Sequence, residues 1–238
     1  MGAMAKRETV LKVTDLMKKY GDHVIVDRFN LTVYSGEAVA LTGRNGSGKS
    51  TVLRCIIGAD RPSEGRVEAF GRKVSETDPA FRRDVATIVD DLDFFPDLSV
   101  VEHLDLLARA HGLADPDALV DEVLDEVQLV PQSAQLPGTL SSGQRRRLAL
   151  ATALVRPRKL LVMDEPEQRL DVVLEGRLGA GLKHEMSKGL GIVVASHEPT
   201  LVNALGRGSC ASVQPPRPAN RRSNRSTRGE SHQQTQSA

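Results

Sequence analysis

The amino-acid sequence predicts an α/β fold with a small antiparallel β subdomain and a mostly helical insertion, and three observations lead to this prediction. Residues 37–42 form a short apolar run, typical of a strand buried on both faces, and a glycine-rich loop and an apolar helix follow it. Residues 30–34 and 66–70 alternate between apolar and polar side chains, which favours antiparallel strands. Residues 92–156 contain stretches with apolar side chains at helical spacing. A chain of 238 residues is long enough for one core domain with subdomains.

A phosphate-binding motif follows the first buried strand. Residues 43–51 match the pattern G-x-x-x-x-G-K-[S/T]. The glycines allow a tight turn that points backbone N–H groups at phosphate oxygens, and the N-terminus of the following helix adds partial positive charge. We expect Lys49 to reach the β- and γ-phosphates and the Ser50 hydroxyl to bind Mg²⁺. A glycine-rich turn without a ligand is the alternative, but the flanking strand and helix favour a nucleotide site. The predicted nucleotide-binding residues of this loop are Gly43, Arg44, Asn45, Gly46, Ser47, Gly48, Lys49, Ser50 and Thr51.

The other elements follow from the same patterns. Further strands are predicted at residues 10–13, 85–89, 159–165 and 191–197. Helices are predicted at residues 100–110, 117–129, 142–155 and 172–188. The folded domain should span residues 8–206, with the helical insertion at about 92–156. Residues 207–238 are rich in Pro, Arg, Ser and Gln and lack the apolar side chains that would offset the entropy of ordering, so we expect a disordered, solvated tail.

Two carboxylates end the apolar strand predicted at residues 159–165. Ligands collect at the carboxyl ends of the strands in an open α/β sheet, so Asp164 and Glu165 should lie near the phosphate loop. We expect Asp164 to hold Mg²⁺ opposite Ser50, and Glu165 to act as general base for the attacking water. His197 ends the last buried strand at the same edge of the sheet. Although a lone histidine is more often structural, a neutral imidazole there could hydrogen-bond the γ-phosphate.

Composition limits the choice of partners and compartment. The net charge is +1, so no strong field would attract nucleic acid, and we expect no specific nucleic-acid partner. The two cysteines, Cys55 and Cys210, have no metal-type spacing. No apolar run approaches the roughly 18–20 residues that cross a bilayer. These features favour a soluble, cytoplasmic protein.

A turn at residues 140–144, Leu-Ser-Ser-Gly-Gln, opens a predicted helix and completes a recognisable set of motifs. With the phosphate loop, the acidic strand end, His197 within Ser-His-Glu and Tyr20 within Lys-Tyr-Gly, residues 8–206 resemble the ATP-binding subunit of ABC transporters. The resemblance implies a P-loop NTPase core that binds ATP and Mg²⁺, with Tyr20 stacked on adenine and Glu165 as the catalytic glutamate. It also implies that the turn binds the ATP of a second ATP-binding subunit, identical or different. The residues of this signature turn are Ser141, Ser142, Gly143 and Gln144.

In such a subunit, closing and opening of two ATP-binding domains would power a separate membrane-spanning transporter subunit. The chain would then lie in the cytoplasm, peripheral on the inner face of the cell membrane. Two alternatives stay open: a nucleotide switch with little turnover, and a soluble ATPase that clamps a ribosome or DNA. The second is less favoured, because the chain shows neither a second ATPase domain nor a long coiled coil.

The chain departs from the family pattern at several sites. Ser142 stands where the signature turn usually has glycine, and Asp90 (or its neighbour Asp91) stands where a Mg²⁺-sensing glutamine is usual. A carboxylate at this position could still bind Mg²⁺, so Asp90 is a third candidate metal ligand with Ser50 and Asp164. Residues 167–169, Glu-Gln-Arg, replace a segment that usually contains a small residue and a glycine. Ser142 and Asp90 are features that favour the nucleotide switch, but the expected function is still an ATPase subunit that powers a transporter.

Overall fold

The computed structural model describes residues 7–89, 92–196, 201, 203, 205 and 209–214. These residues form an antiparallel sheet of four strands and a parallel sheet of five, with helices packed around them, so the predicted α/β class is confirmed. The strands are β1 (Thr9–Tyr20), β2 (His23–Tyr34), β3 (Ala38–Thr42), β4 (Glu64–Ala69), β5 (Arg72–Lys73), β6 (Val85–Ile88), β7 (Leu160–Asp164), β8 (Gly191–Ala195) and β9 (Ser209–Ser212). The α-helices are α1 (Lys49–Ile57), α2 (Pro79–Asp84), α3 (Val100–Ala110), α4 (Asp117–Glu126), α5 (Ser142–Leu154) and α6 (Val172–Ser187). Short 3₁₀ helices span Val130–Gln132 and Pro137–Thr139.

The parallel sheet has the strand order β6-β7-β8-β3-β9. Its strands β3, β7 and β8 are almost fully buried, because their side chains alternate between two hydrophobic cores. On β3, Ala38 and Ala40 face the core shared with the helical insertion. Val39 and Leu41 face the core shared with α1 and the antiparallel sheet. The prediction of a strand buried on both faces is therefore confirmed, and the sheet places the carboxyl ends of β3, β7 and β8 along one edge.

The antiparallel sheet has the order β2-β1-β4-β5, and its first two strands are longer than the sequence indicated. The prediction covered only residues 10–13 and 30–34, whereas β1 and β2 have 12 residues each. Register shifts interrupt their pairing, and Asp15 and Arg28 have φ angles of 47° and 48°. Such bulges break the two-residue alternation, which is why the pattern predicted shorter strands.

Three α-helices, α3, α4 and α5, occupy the predicted insertion. Leu104, Leu124 and Leu148, one from each helix, are buried in a single core that also contains residues of β6, β7 and α6. Two of these helices begin with reciprocal capping boxes: Ser99 with Glu102 at α3 and Ser141 with Gln144 at α5. Each box satisfies backbone N–H groups that a helix start leaves without partners, so both starts follow directly from local sequence.

The strand β9 corrects the predicted start of the tail at residue 207. Ser209–Ser212 pairs with β3 in parallel, the Val213 N–H donates to the Thr42 carbonyl at 2.8 Å, and Val213 is buried. The open edge of β3 offers backbone donors and acceptors to any extended segment, so a chain with few apolar side chains can still join the sheet. Residues 215–238 lie outside the described residues, as do the candidate site residues Asp90 and His197.

Candidate nucleotide site

The phosphate loop joins β3 to α1 and leaves the start of that helix open. Gly46 and Gly48 have φ angles of 76° and 99°, in the left-handed region that favours glycine. Gly48 is the N-cap of α1, and no side chain of the described residues caps the first turn. The backbone N–H groups of that turn are therefore available to an anion, with the positive end of the helix dipole behind them.

Lys49 and Ser47 show that the loop suits a phosphate chain. The Lys49 side chain is buried and folds back over the loop, where its Nζ donates to the carbonyls of Gly43 at 3.1 Å and Arg44 at 3.5 Å. This holds the ammonium group beside the amides of the helix start. The Ser47 hydroxyl is also buried and has no hydrogen-bond partner among the described residues. Since buried polar groups are normally satisfied, an acceptor oxygen of a bound phosphate fits this position.

The acidic strand end meets the loop in one cavity of about 330 Å³. Glu165 lies in this cavity, as the edge of the parallel sheet predicted. Its backbone has a φ of 44°, and its N–H donates to the Ala195 carbonyl of β8 at 2.8 Å. The lining residues are Ile25, Asn45, Gly46, Gly48, Lys49, Ser50, Thr51 and Glu165. The structure thus brings a carboxylate and the predicted phosphate ligands together.

Arg146 of α5 holds this strand end, and the sequence analysis did not single it out. One guanidinium nitrogen donates to the carbonyls of Asp164 at 2.8 Å and Glu165 at 2.7 Å. The Gln168 amide donates to the Glu165 carboxylate. The only sequence signal was a run of three arginines after the signature turn, and that run does not indicate which arginine points inward.

The candidate metal ligands Asp164 and Ser50 are too few to hold Mg²⁺ without water and nucleotide oxygens. Asp164 ends β7, and Ser50 lies in the first turn of α1, which packs on β7. Within the described ranges, no group of three or more His, Cys, Asp or Glu side chains could hold a metal ion alone. Mg²⁺ typically takes only one or two protein ligands and completes its shell with phosphate oxygens and water. Ser50 lines the cavity and Asp164 is not among its lining residues, so Mg²⁺ binding by this pair stays a prediction.

The signature turn does not line this cavity. Ser141 and Gln144 bond to each other's backbone, with Gln144 N–H to Ser141 Oγ at 3.2 Å and Ser141 N–H to Gln144 Oε1 at 2.8 Å. Ser142, which stands in place of the usual glycine, is exposed, so its side chain is accommodated without crowding in this chain. Gly143 lies against the Arg169 carbonyl, 3.5 Å from where a Cβ would be.

The segment after Glu165 explains one departure from the family pattern. Arg169, which stands in place of a glycine, has a φ of 66°, so the backbone keeps a glycine-like conformation without glycine. Glu167 is buried, and its carboxylate accepts a hydrogen bond from the Ser196 hydroxyl at 2.6 Å. This bond ties the segment after β7 to the residue that precedes His197.

Tyr20 ends β1, beyond the predicted strand of residues 10–13, and it is not among the residues that line the cavity. Its hydroxyl donates to Asp60 Oδ2 at 2.7 Å, and 48% of the residue is exposed. This hydrogen bond raises the pKa of Tyr20 to about 12, because ionisation would remove the proton that the phenol donates to Asp60. Asp60 was not a candidate residue in the sequence analysis.

A phosphate loop between a buried parallel strand and a helix, with an acidic strand end beside it, defines a nucleotide-binding α/β domain. Residues 26–168 match the family model described as ABC transporter. The chain belongs to this family.

Relatives with named roles match most of this chain. It is 36% identical over 165 residues to the bacitracin transport ATP-binding protein BcrA of Bacillus licheniformis, a match that covers 69% of this chain and 54% of BcrA. It is 32% identical over 192 residues to the spermidine/putrescine import ATP-binding protein PotA of Pseudomonas aeruginosa, covering 79% of this chain and 53% of PotA. The chain thus spans about half the length of these curated relatives.

Solved structures agree with the fold over a larger share of each chain. An ATP-binding subunit of an ABC transporter superimposes with a TM-score of 0.73 and 31% identity, covering 79% of this chain and 80% of the other. The cassette MJ0796, in a dimeric post-hydrolysis state bound to ADP and Pi, superimposes with a TM-score of 0.74 and 25% identity, covering 86% and 94%.

Proposed function

We propose that this chain is an ATP-hydrolysing subunit that powers an ABC transporter. The observation that carries the proposal is that Glu165 lies in the same cavity as Lys49, Ser50 and the open start of α1. A loop that only held a nucleotide would need no carboxylate there. The family membership and the transport roles named for the relatives support the same reading.

The residues divide the work of ATP binding. Backbone N–H groups of the loop and the Lys49 ammonium would surround the β- and γ-phosphates, and the Ser47 hydroxyl would donate a hydrogen bond to a phosphate oxygen. Ser50 and Asp164 would hold Mg²⁺, which neutralises charge on the phosphates when bound. Asp90 and His197 keep their predicted roles as a further metal ligand and a γ-phosphate contact, and both lie outside the described residues.

The chemical step is an in-line attack of water on the γ-phosphorus. A new P–O bond forms while the bond to the β–γ bridging oxygen breaks, and Glu165 accepts the proton that the water loses. The products are ADP and inorganic phosphate. Arg146 and Gln168 would orient Glu165, because they bond to its carbonyl and its carboxylate, respectively.

The active assembly would contain a second ATP-binding subunit and a membrane-spanning subunit. The signature turn, residues 141–144, lies outside the cavity of its own chain, which is consistent with a role at the nucleotide of another copy. The dimeric state of the similar cassette MJ0796 supports such pairing. Across the described residues no helix is long and apolar enough to span a bilayer, and the proposed place of the chain is the cytoplasmic face, bound to its membrane partner.

Replacing Glu165 by Gln tests the assignment of the base. The change keeps size and hydrogen bonding but removes the proton acceptor, so ATP turnover should fall by about 10²- to 10⁴-fold while ATP still binds. Phosphate release and equilibrium binding of ATP measure the two quantities. The matched control is Glu122→Gln, an exposed glutamate on α4, which should hydrolyse ATP at the wild-type rate.

Near-wild-type turnover of Glu165→Gln would contradict the assignment. If the unaltered chain binds ATP but does not hydrolyse it, even with its membrane partner, the nucleotide switch is the better description. Co-purification with a polytopic membrane protein, rather than with ribosomes or DNA, is the expected result for a transporter subunit.

A further inference from the structure

Tyr20 is held in place by a carboxylate from a distant part of the chain. Its hydroxyl donates to Oδ2 of Asp60, which lies 40 positions away in the segment after α1. The Asp60 side chain is 19% exposed, so the bond is partly shielded from water. A hydrogen bond at 2.7 Å to a carboxylate belongs to the strong, charge-assisted class. It removes most of the rotational freedom of an aromatic side chain that is otherwise half exposed.

A lysine covers one face of the same ring. The Nζ atom of Lys18 lies 4.7 Å from the centre of the Tyr20 ring, within the distance of a cation–π contact. Lys18 is itself fixed, because Nζ donates to the Arg61 carbonyl at 2.9 Å and pairs with Asp60 Oδ1 at 3.6 Å. Because Lys18 lies on this face, a planar ligand would stack on the opposite face of the ring.

Asp60 also reaches the helix that carries the phosphate ligands. Nε of Arg54, in the last turn of α1, donates to Asp60 Oδ2 at 3.2 Å. The first turn of α1 contains Lys49 and Ser50. One carboxylate is therefore bonded to the end of β1 and to the far end of the phosphate-binding helix. The bond from Tyr20 lowers the pKa of Asp60, so the carboxylate stays ionised at neutral pH and the phenol stays its donor.

We propose that Asp60 is a positioning residue for base recognition: it holds the Tyr20 ring, backed by Lys18, as a rigid platform at a constant position relative to α1. The inference rests on the proposed ATP-binding function and adds a residue that the family motifs do not include. Without Asp60 the ring would still be present, but it would be mobile until ATP bound. Immobilising one side chain on binding should lower the affinity for ATP by about 3- to 10-fold.

Calorimetric titration of the full chain with ATP, and separately with inorganic tripolyphosphate, each with Mg²⁺, tests the inference. Asp60→Ala and Tyr20→Phe should each lower the affinity for ATP by about 3- to 10-fold. The double variant should bind ATP as well as either single variant, because both substitutions remove the same hydrogen bond. Asp60→Asn keeps an acceptor for the phenol but removes the charge that pairs with Lys18 and Arg54, so its ATP affinity should lie between those of the wild type and Asp60→Ala. Tripolyphosphate, which has no base, should bind all four variants equally.

Several results would overturn the inference. Equal losses for ATP and tripolyphosphate would show that Asp60 shapes the phosphate loop instead. Additive losses in the double variant would show that Asp60 and Tyr20 act separately. If Tyr20→Ala binds ATP as the wild type does, the ring is not a platform at all. None of these results bears on the proposed function, which fails if the wild-type chain does not hydrolyse ATP even with its membrane partner.

Discussion

Gly48 is a position in the phosphate loop where the backbone leaves little room for a side chain. Its φ of 99° is in the region that L residues rarely adopt. A Cβ there would lie 3.0 Å from Cγ2 of Val26 and 3.1 Å from the Ile25 carbonyl oxygen. Val26 is buried, so its methyl group has little space to move away. We predict that Gly48→Ala destabilises the folded chain through both strain and crowding.

Gly46 is a matched control in the same loop. Its φ is 76°, but a Cβ would meet nothing within 4 Å. A left-handed alanine costs about 1–2 kcal/mol, of which about 0.4–1 kcal/mol is offset because alanine restricts the unfolded chain. Gly46→Ala should therefore lower the free energy of unfolding by roughly 0.5–1 kcal/mol. Crowding adds about 1–3 kcal/mol in a packed environment, so Gly48→Ala should lose roughly 2–4 kcal/mol.

Urea unfolding without nucleotide measures the difference, because ligand effects are then excluded. A loss of 2–4 kcal/mol is a large share of the roughly 5–15 kcal/mol that stabilises a typical domain. Equal losses in the two variants would refute the crowding argument. A Gly48→Ala protein within about 0.5 kcal/mol of wild type would refute the described backbone conformation itself.

Two further predictions concern other strained or buried groups. Arg169→Gly relieves a left-handed φ of 66° at an exposed residue and should raise the free energy of unfolding by up to about 1 kcal/mol; a lower melting temperature would show that the arginine side chain itself stabilises the fold. Burial, together with the nearby charge of Glu185, raises the pKa of Glu126. The charged form therefore destabilises the folded state at pH values above this raised pKa, and the destabilisation disappears as pH falls toward the ordinary pKa of glutamate. Glu126→Gln should therefore raise the unfolding midpoint at pH 8 and lose this advantage near pH 4, and an advantage that persists at pH 4 would point to packing rather than charge.

Local patterns predicted the parts of the site that are contiguous in the chain. The strand, glycine loop and helix around residues 38–57 follow from apolar runs and glycine spacing. Placing Glu165 beside the loop also worked, because the carboxyl ends of neighbouring parallel strands must share an edge.

The side chains that hold the site in position could not be predicted from local sequence patterns. Arg146 bonds to carbonyls 18 and 19 positions away, and Asp60 bonds to a phenol 40 positions away. Both side chains are charged and lie in stretches rich in other charges, so nothing local marks them. β9 likewise joins the sheet through backbone hydrogen bonds, to which its polar side chains give no clue.

The sequence by itself determined the α/β class and the family, and it predicted the groups for phosphate, metal and proton transfer, because these depend on residue type and short spacing. Only the tertiary structure decided the bulged length of β1 and β2, the added edge strand, and the bonds that orient Glu165 and Tyr20. Those features arise from pairing between segments that are distant in the chain, and such pairing is selected by packing and backbone hydrogen bonding rather than by any local pattern.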